Sequence, residues 1–165
     1  MLYKSIIRAA GIAAMFAVMF VGGAFAQRVG NTYTLDGQTY TVESVSGDRV
    51  TLRKAPTLDG VWNEVGAWSR GITIDGNTGV FTQFGSNALV LDAVNKGYIK
   101  IGDQYLRNLT KTGDLTWSGQ ELGVDGRNNV AAGVSWRNNV TITLNADGQS
   151  FEMRAGSVRI TFRRQ

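Results

Sequence analysis

The stretch Val158-Arg159-Ile160-Thr161-Phe162-Arg163 alternates without a break: Val158, Ile160 and Phe162 share one side, while Arg159, Thr161 and Arg163 share the other. A period of two is that of a β-strand with one face buried and one in water. The same alternation groups Val140, Ile142 and Leu144, pairs Leu115 with Trp117 and Val50 with Leu52, and suggests a further strand through Ile99 and Ile101. Strands that are apolar on one face and polar on the other build antiparallel rather than parallel sheets.

The composition agrees, with 21 Gly against 1 Pro, and favours many short strands joined by tight turns. Turn signals recur at Asp36-Gly37, Gly47-Asp48, Asp75-Gly76, Gly102-Asp103, Gly113-Asp114, Asp125-Gly126 and Asp147-Gly148. Glycine there supplies the positive φ of hairpin turns, so most of the aspartates read as turn chemistry. Ser86 to Lys96 breaks the rhythm: Leu89, Val90, Ala93 and Val94 are spaced for one short helix, capped by Ser86 or Asn87 and stopped by Gly97. Such a helix either covers an end of a barrel or, as is commoner for short connecting elements, packs beside it.

The first 26 residues read as an export signal. Lys4 and Arg8 form a basic start, an uncharged run follows from Ala9 to Phe25, and Ala24-Phe25-Ala26 offers small residues before Gln27. An uncleaved anchor is the competing reading, since Ile6 to Ala26 approaches the roughly 20 residues that span a bilayer. Gly22, Gly23, Ala24 and Ala26 favour cleavage, after which no stable membrane insertion is expected. The expected location is secreted or periplasmic. Removal of 26 residues from 165 leaves 139, and loss of Lys4 and Arg8 from 17 basic residues leaves 15 against 13 acidic ones. A net charge of +2 on that mature chain argues for no polyanionic partner, and the arginines near the end of the chain read as the solvated face of a strand. Cys 0 removes both lipid attachment and disulfides, so packing and sheet hydrogen bonds must carry stability.

The expected organisation is residues 1–26 as signal, 27–57 as a three-strand β-meander, and 58–165 as an antiparallel up-and-down β-barrel. Tyr33, Leu35, Tyr40, Val42, Val45, Val50 and Leu52 form the apolar set of the meander. A sheet this small is marginal alone. From Leu58 onward about nine strands can be placed.

Gly60-Val61-Trp62, opening a strand, resembles the Gly-x-Trp signature that starts the barrel in lipocalins and avidin-like proteins. In lipocalins a basic residue on the last strand covers that tryptophan, and Arg159, Arg163 or Arg164 could serve here. Thr78-Gly79-Val80-Phe81 and Thr116-Trp117-Ser118-Gly119-Gln120 are similar to two avidin-like segments, and Trp136 falls near another pocket tryptophan of that family. The resemblance is local. At the positions comparable to biotin contacts the chain offers Phe81 for tyrosine, Leu115 for threonine and Ile160 for aspartate, which argues against biotin because each unpaired polar group costs about 1–3 kcal/mol. The second lipocalin signature, the disulfide and the trailing helix are also missing from the sequence. What the resemblance implies is architecture, not specificity.

With His 0 and Cys 0, the common general base and the most reactive nucleophile are absent, and no enzyme is expected. Glu64, Asp92, Glu121 and Glu152 are the acids not spent on turns, and only a facing pair of them would suggest a glycosidase. No metal and no cofactor are expected, since Asp75-Gly76-Asn77-Thr78-Gly79 lacks the bidentate acid of a calcium loop. The sequons at Asn108 and Asn139 matter only in a eukaryotic secretory pathway. The expected function is a secreted, non-enzymatic binding protein holding a small, largely apolar molecule inside the barrel, with Trp68, Phe81, Trp117 and Trp136 as its walls and Trp62 sealing one end. The alternative is an envelope-associated interaction module, or an inhibitor of a secreted hydrolase, meeting a protein partner through its outer surface.

Overall fold

The computed structural model describes residues 15–19, 28–35, 38–46, 49–66 and 69–165, and the chain divides into two units, Met1–Ala55 and Pro56–Gln165. The first unit is an antiparallel sheet of β1 (Met15–Met19), β2 (Thr32–Leu35), β3 (Gln38–Ser46) and β4 (Arg49–Lys54) in the order β1-β4-β3-β2. Strands β2 to β4 form the expected meander, with Val42, Val50 and Leu52 buried and Tyr33 and Tyr40 packed on them. A bulge after Val42 brings Val45 opposite Val50, yet Val45 stays 40% exposed and is no part of that core. The sheet has one strand more than the sequence suggests: Met15–Met19, inside the expected signal, pairs along β4. The proposed cleavage site, the turns at Asp36-Gly37 and Gly47-Asp48, and Trp68 lie outside the described residues.

The second unit is a closed barrel of eight antiparallel strands. They are β5 (Gly60–Glu64), β6 (Gly71–Asp75), β7 (Thr78–Gln83), β8 (Gln104–Gly113), β9 (Thr116–Arg127), β10 (Val130–Leu144), β11 (Ser150–Ala155) and β12 (Val158–Arg164). Each pairs with the next, and β12 returns to β5 with Arg164 opposite Trp62 and Phe162 opposite Glu64. The alternation that first marks β12 as a strand buries Ile160 and Phe162 and leaves Arg159, Thr161 and Arg163 outside. One expected strand is not there: Ile99 and Ile101 lie in a loop whose Gly102 and Asp103 bond to the backbone of Phe81. Ile99 is buried and Ile101 is 54% exposed, so their alternation comes from a loop turning over a small cluster rather than from a strand.

The turn expected at Asp125-Gly126 falls instead at Asn128 and Asn129, whose φ values of 52° and 63° are the paired positive angles of a type I′ hairpin. Asparagine tolerates that region, and β9 therefore runs three residues further than the Asp-Gly signal suggests. Asn108 and Asn139, the two sequon asparagines, also have positive φ and sit where the registers of β8 and β10 slip. Both are bulge residues.

Sixteen buried side chains form the barrel core, and the largest of those wholly removed from solvent are Trp62, Tyr105, Phe151 and Phe162. Trp62 meets Phe151 edge-on at 4.8 Å, and Phe151 stacks on Phe162 at 4.8 Å. Trp62 donates its indole N–H to the Leu58 carbonyl at 2.7 Å. Of the three arginines that could cover it, Arg164 does so, its guanidinium carbon 4.2 Å from the ring centroid. The same guanidinium donates to the carbonyls of Thr57, Asp59 and Gly148, at 2.7, 2.7 and 3.0 Å. Gly60 makes room for it: φ there is +136°, and a Cβ would lie 2.3 Å from Arg164 Nη1.

Helix α1 (Ala88–Asn95) starts at Asn87, whose side chain accepts from the Val90 N–H, and ends ahead of Gly97 at φ 73°. It packs against β9 and β10 through Ala93, Ile99 and Ala131. Two groups clip it there: Asp92 accepts from the Ala131 N–H at 2.7 Å, and Lys96 donates to the Ala131 carbonyl at 2.8 Å. Among the described residues no helix is long and apolar enough to cross a membrane.

Trp62→Ala is expected to cost about 3–5 kcal/mol in urea unfolding. Arg164→Met and Gly60→Ala should each cost about 1–3 kcal/mol, and together little more than either alone, because both remove the same strap. Additive losses would show that Gly60 and Arg164 act separately. For the helix clip, the salt link to Lys96 and the Ala131 N–H hold the Asp92 carboxyl below its ordinary value. A lowered folded pKa contributes stability above the unfolded value, and that contribution fades as pH falls through the folded one. The protection factors of the α1 amides, taken against the intrinsic exchange rate at each pH, should therefore fall on acidification, and Asp92→Asn should remove that pH dependence.

Candidate functional site

Antiparallel connectivity sorts the barrel into two ends. The start of β5, the end of β12 and the β10–β11 turn meet at Trp62 and Arg164. The β5–β6 connection, the approach to α1, and the β9–β10 and β11–β12 turns gather at the opposite end. There a pocket of about 200 Å³ opens. Its apolar wall includes Phe81, Leu89, Val90, Ile99, Leu122 and Ile160, and its polar wall is Arg70, Asn87, Glu121 and Arg137. Phe81 and Ile160 stand at two of the positions where the family resemblance would place polar ligand contacts.

Arg70, Glu121 and Arg137 join Glu64 and Tyr105 in a network that is buried as far as Glu121 and reaches the surface at Arg137, whose side chain is 45% exposed. Arg70 donates through Nε to Glu64 at 2.6 Å, with side-chain exposures of only 11% and 7%. Its guanidinium lies 5.2 Å from the ring centroid of Tyr105. The Tyr105 hydroxyl donates to Glu121 Oε2 at 3.2 Å, and Glu121 Oε1 lies 3.6 Å from Arg137 Nη1. Arg137 crosses Gly123, where a Cβ would sit 2.2 Å from its Nε, so the inward glycine lets the arginine reach the carboxylate. Burial opposes the charge of Arg70, but Tyr105, Glu64 and Glu121 outweigh it and raise its pKa above the ordinary value. Burial, reinforced by Glu121 and Glu64 against the opposing Arg70, raises that of the Tyr105 phenol, which stays neutral and able to donate.

One atom of this network is unmatched. Arg70 Nη2 is buried and has no hydrogen-bond partner among the described residues. A donor in that position costs about 1–3 kcal/mol.

The aromatic residues expected to wall a pocket separate in space. Phe81 lines the pocket, 3% exposed, in contact with Phe84 and Tyr105. Trp117 belongs to the barrel core under Lys111, and Trp136 lies half-buried beneath Arg107, 3.9 Å from its guanidinium; neither is among the lining residues. Trp68 lies outside the described residues. Of the four spare acids, Glu64 and Glu121 come together in this network, each engaged by an arginine, Arg70 and Arg137, whereas Asp92 pairs with Lys96 and Glu152 with Arg154 and Arg159. Among the described residues no three acidic side chains gather to hold a metal ion.

Sequence reasoning did not single out Arg70, Tyr105 or Arg137. Glu121 was legible in one respect, since it follows Trp117 and Gly119 at intervals of two and so points the same way as the buried tryptophan. No family model matches the chain, and no curated protein or solved structure matches it either.

Breaking the buried pair by Arg70→Met should cost about 3–5 kcal/mol at neutral pH, because Glu64 is left as a lone buried charge. Adding Glu64→Gln should recover part of that loss. Urea unfolding of the single and double variants checks both statements, and a single variant as stable as the parent would contradict the network.

Proposed function

We propose that this is a non-enzymatic binding protein that holds a small, largely apolar molecule in the pocket at the end of the barrel away from Trp62. The observation that carries the reading is the division of the barrel interior. One end is filled by Trp62, Phe151 and Phe162 and strapped by Arg164, whereas the other keeps about 200 Å³ between apolar walls. An apolar cavity of about 150 Å³ is enough for benzene, so a single ring with a short substituent suits this volume. A few polar groups among apolar walls are what orient a ligand in such sites. The absence of histidine and cysteine from the sequence supports a role without catalysis.

The finer likeness to lipocalins and avidin-like proteins belongs to the same proposal, supported by Gly60-Val61-Trp62 together with its covering Arg164. Action outside the cytoplasm is supported by the basic start, apolar run and small-residue exit of the first 26 residues.

A panel of small uncharged aromatic molecules should raise the melting temperature by mass action, by an amount set by the ratio of their concentration to Kd, and biotin should not. Val158→Trp, at the half-exposed rim of the pocket, should abolish the shift and leave a folded protein. A panel without effect on the parent would reject ligand binding and turn attention to the outer surface. Intact-mass analysis of exported protein should give a chain beginning at Gln27; an unprocessed chain in the membrane fraction would contradict export by cleavage.

A further inference from the structure

We propose that Arg70 is the ligand-reading residue of the pocket, and that it selects an uncharged apolar molecule carrying one hydrogen-bond-accepting oxygen, such as an aryl ketone. The inference rests on the binding reading above and adds the chemistry of the ligand's polar group. Arg70 lines the pocket, and its Nη2 is the one buried side-chain nitrogen or oxygen among the described residues without a hydrogen-bond partner. Its Nε is already committed to Glu64 at 2.6 Å, which leaves Nη2, closed off from solvent in this structure, as the donor that a guest oxygen would reach by displacing the side chains over it.

Charge decides between a neutral acceptor and an anion. The pocket's ionic groups are balanced: Arg70 faces Glu64, and Arg137 faces Glu121 at 3.6 Å. A carboxylate ligand would add an uncompensated negative charge beside Glu121, which is only 4% exposed. Removing an ion from water into such a place is costly unless a counter-charge is free, and both cations are engaged. A carbonyl oxygen satisfies the N–H without changing the balance. The remaining wall, including Phe81, Leu122 and Ile160, offers the rest of the molecule only apolar contact.

Three planar molecules of nearly equal shape test this. Acetophenone carries the acceptor oxygen, α-methylstyrene replaces it by a methylene, and benzoate replaces the ketone by a charged group. Their dissociation constants would be read by NMR titration of the full exported protein. Acetophenone should bind about 10- to 100-fold more tightly than α-methylstyrene, as expected for a hydrogen bond from a charged donor, and benzoate should bind more weakly than acetophenone. In the paired variant Arg70→Met with Glu64→Gln, which leaves no lone buried charge, the preference for acetophenone should fall to within about twofold while α-methylstyrene still binds. Equal affinities for acetophenone and α-methylstyrene in the parent would overturn the role of Arg70 and leave ligand binding standing. Tighter binding of benzoate would overturn the neutral ligand class, and retention of the preference in the paired variant would place the donor elsewhere. Failure of all three to bind would overturn the binding reading and this inference with it. The comparison in the parent decides the matter even if the variant does not fold.

Discussion

The stacking of the Arg164 guanidinium on Trp62 is the contact on which the barrel depends. It joins the last strand to the first, which is the closure that removes the free edges of the sheet. Three backbone carbonyls from two loops accept from the same guanidinium, so the arginine also fixes the entry to β5 and the β10–β11 turn. Gly60 is needed because that close approach leaves no space for a Cβ. One short motif and one distant arginine therefore determine a single closed end.

The two ends of the barrel then differ in kind. At the strapped end, aromatic rings pack edge-on and stacked, with Trp62, Phe151 and Phe162 fully buried. At the other, the interior switches from close-packed hydrocarbon to a chain of polar groups running from Glu64 through Arg70, Tyr105 and Glu121 to Arg137. Buried polar networks are costly when incomplete, and this one is incomplete at one nitrogen. A hydrophobic replacement would be simpler for stability alone, which supports the proposed role of the network as the polar wall of a site.

Much of the barrel was legible in the chain because its cause is local. Alternation in β12 and β10, the Asn87 cap and the glycine after α1 each act over a few residues, and the structure follows them. The Gly-x-Trp motif was legible too, though which arginine covers Trp62 depends on register across β12 and β5. Where local signals misled, a longer-range cause took over. Asp125-Gly126 carries a turn pattern, but pairing with β10 extends β9 to the Asn128-Asn129 turn. Ile99 and Ile101 alternate, but helix packing claims one and leaves the other in solvent. The pocket was the least legible part. Tryptophans attract attention by size, yet Trp117 fills the core and Trp136 lies under Arg107, while the polar wall is drawn from β5, β8, β9, β10 and the loop before β6. No spacing in the sequence brings those together; only barrel closure does.

Ligand binding of the proposed kind requires a barrel filled at one end and hollow at the other. Titration of methyl-labelled protein with benzene, followed by NMR, reads both ends at once. Shifts confined to the methyl groups that line the pocket, among them those of Leu89, Ile99, Leu122 and Ile160, with Ile142 and Leu144 silent, are the predicted result. Shifts centred on Ile142 and Leu144, or no saturable shift anywhere, would contradict it.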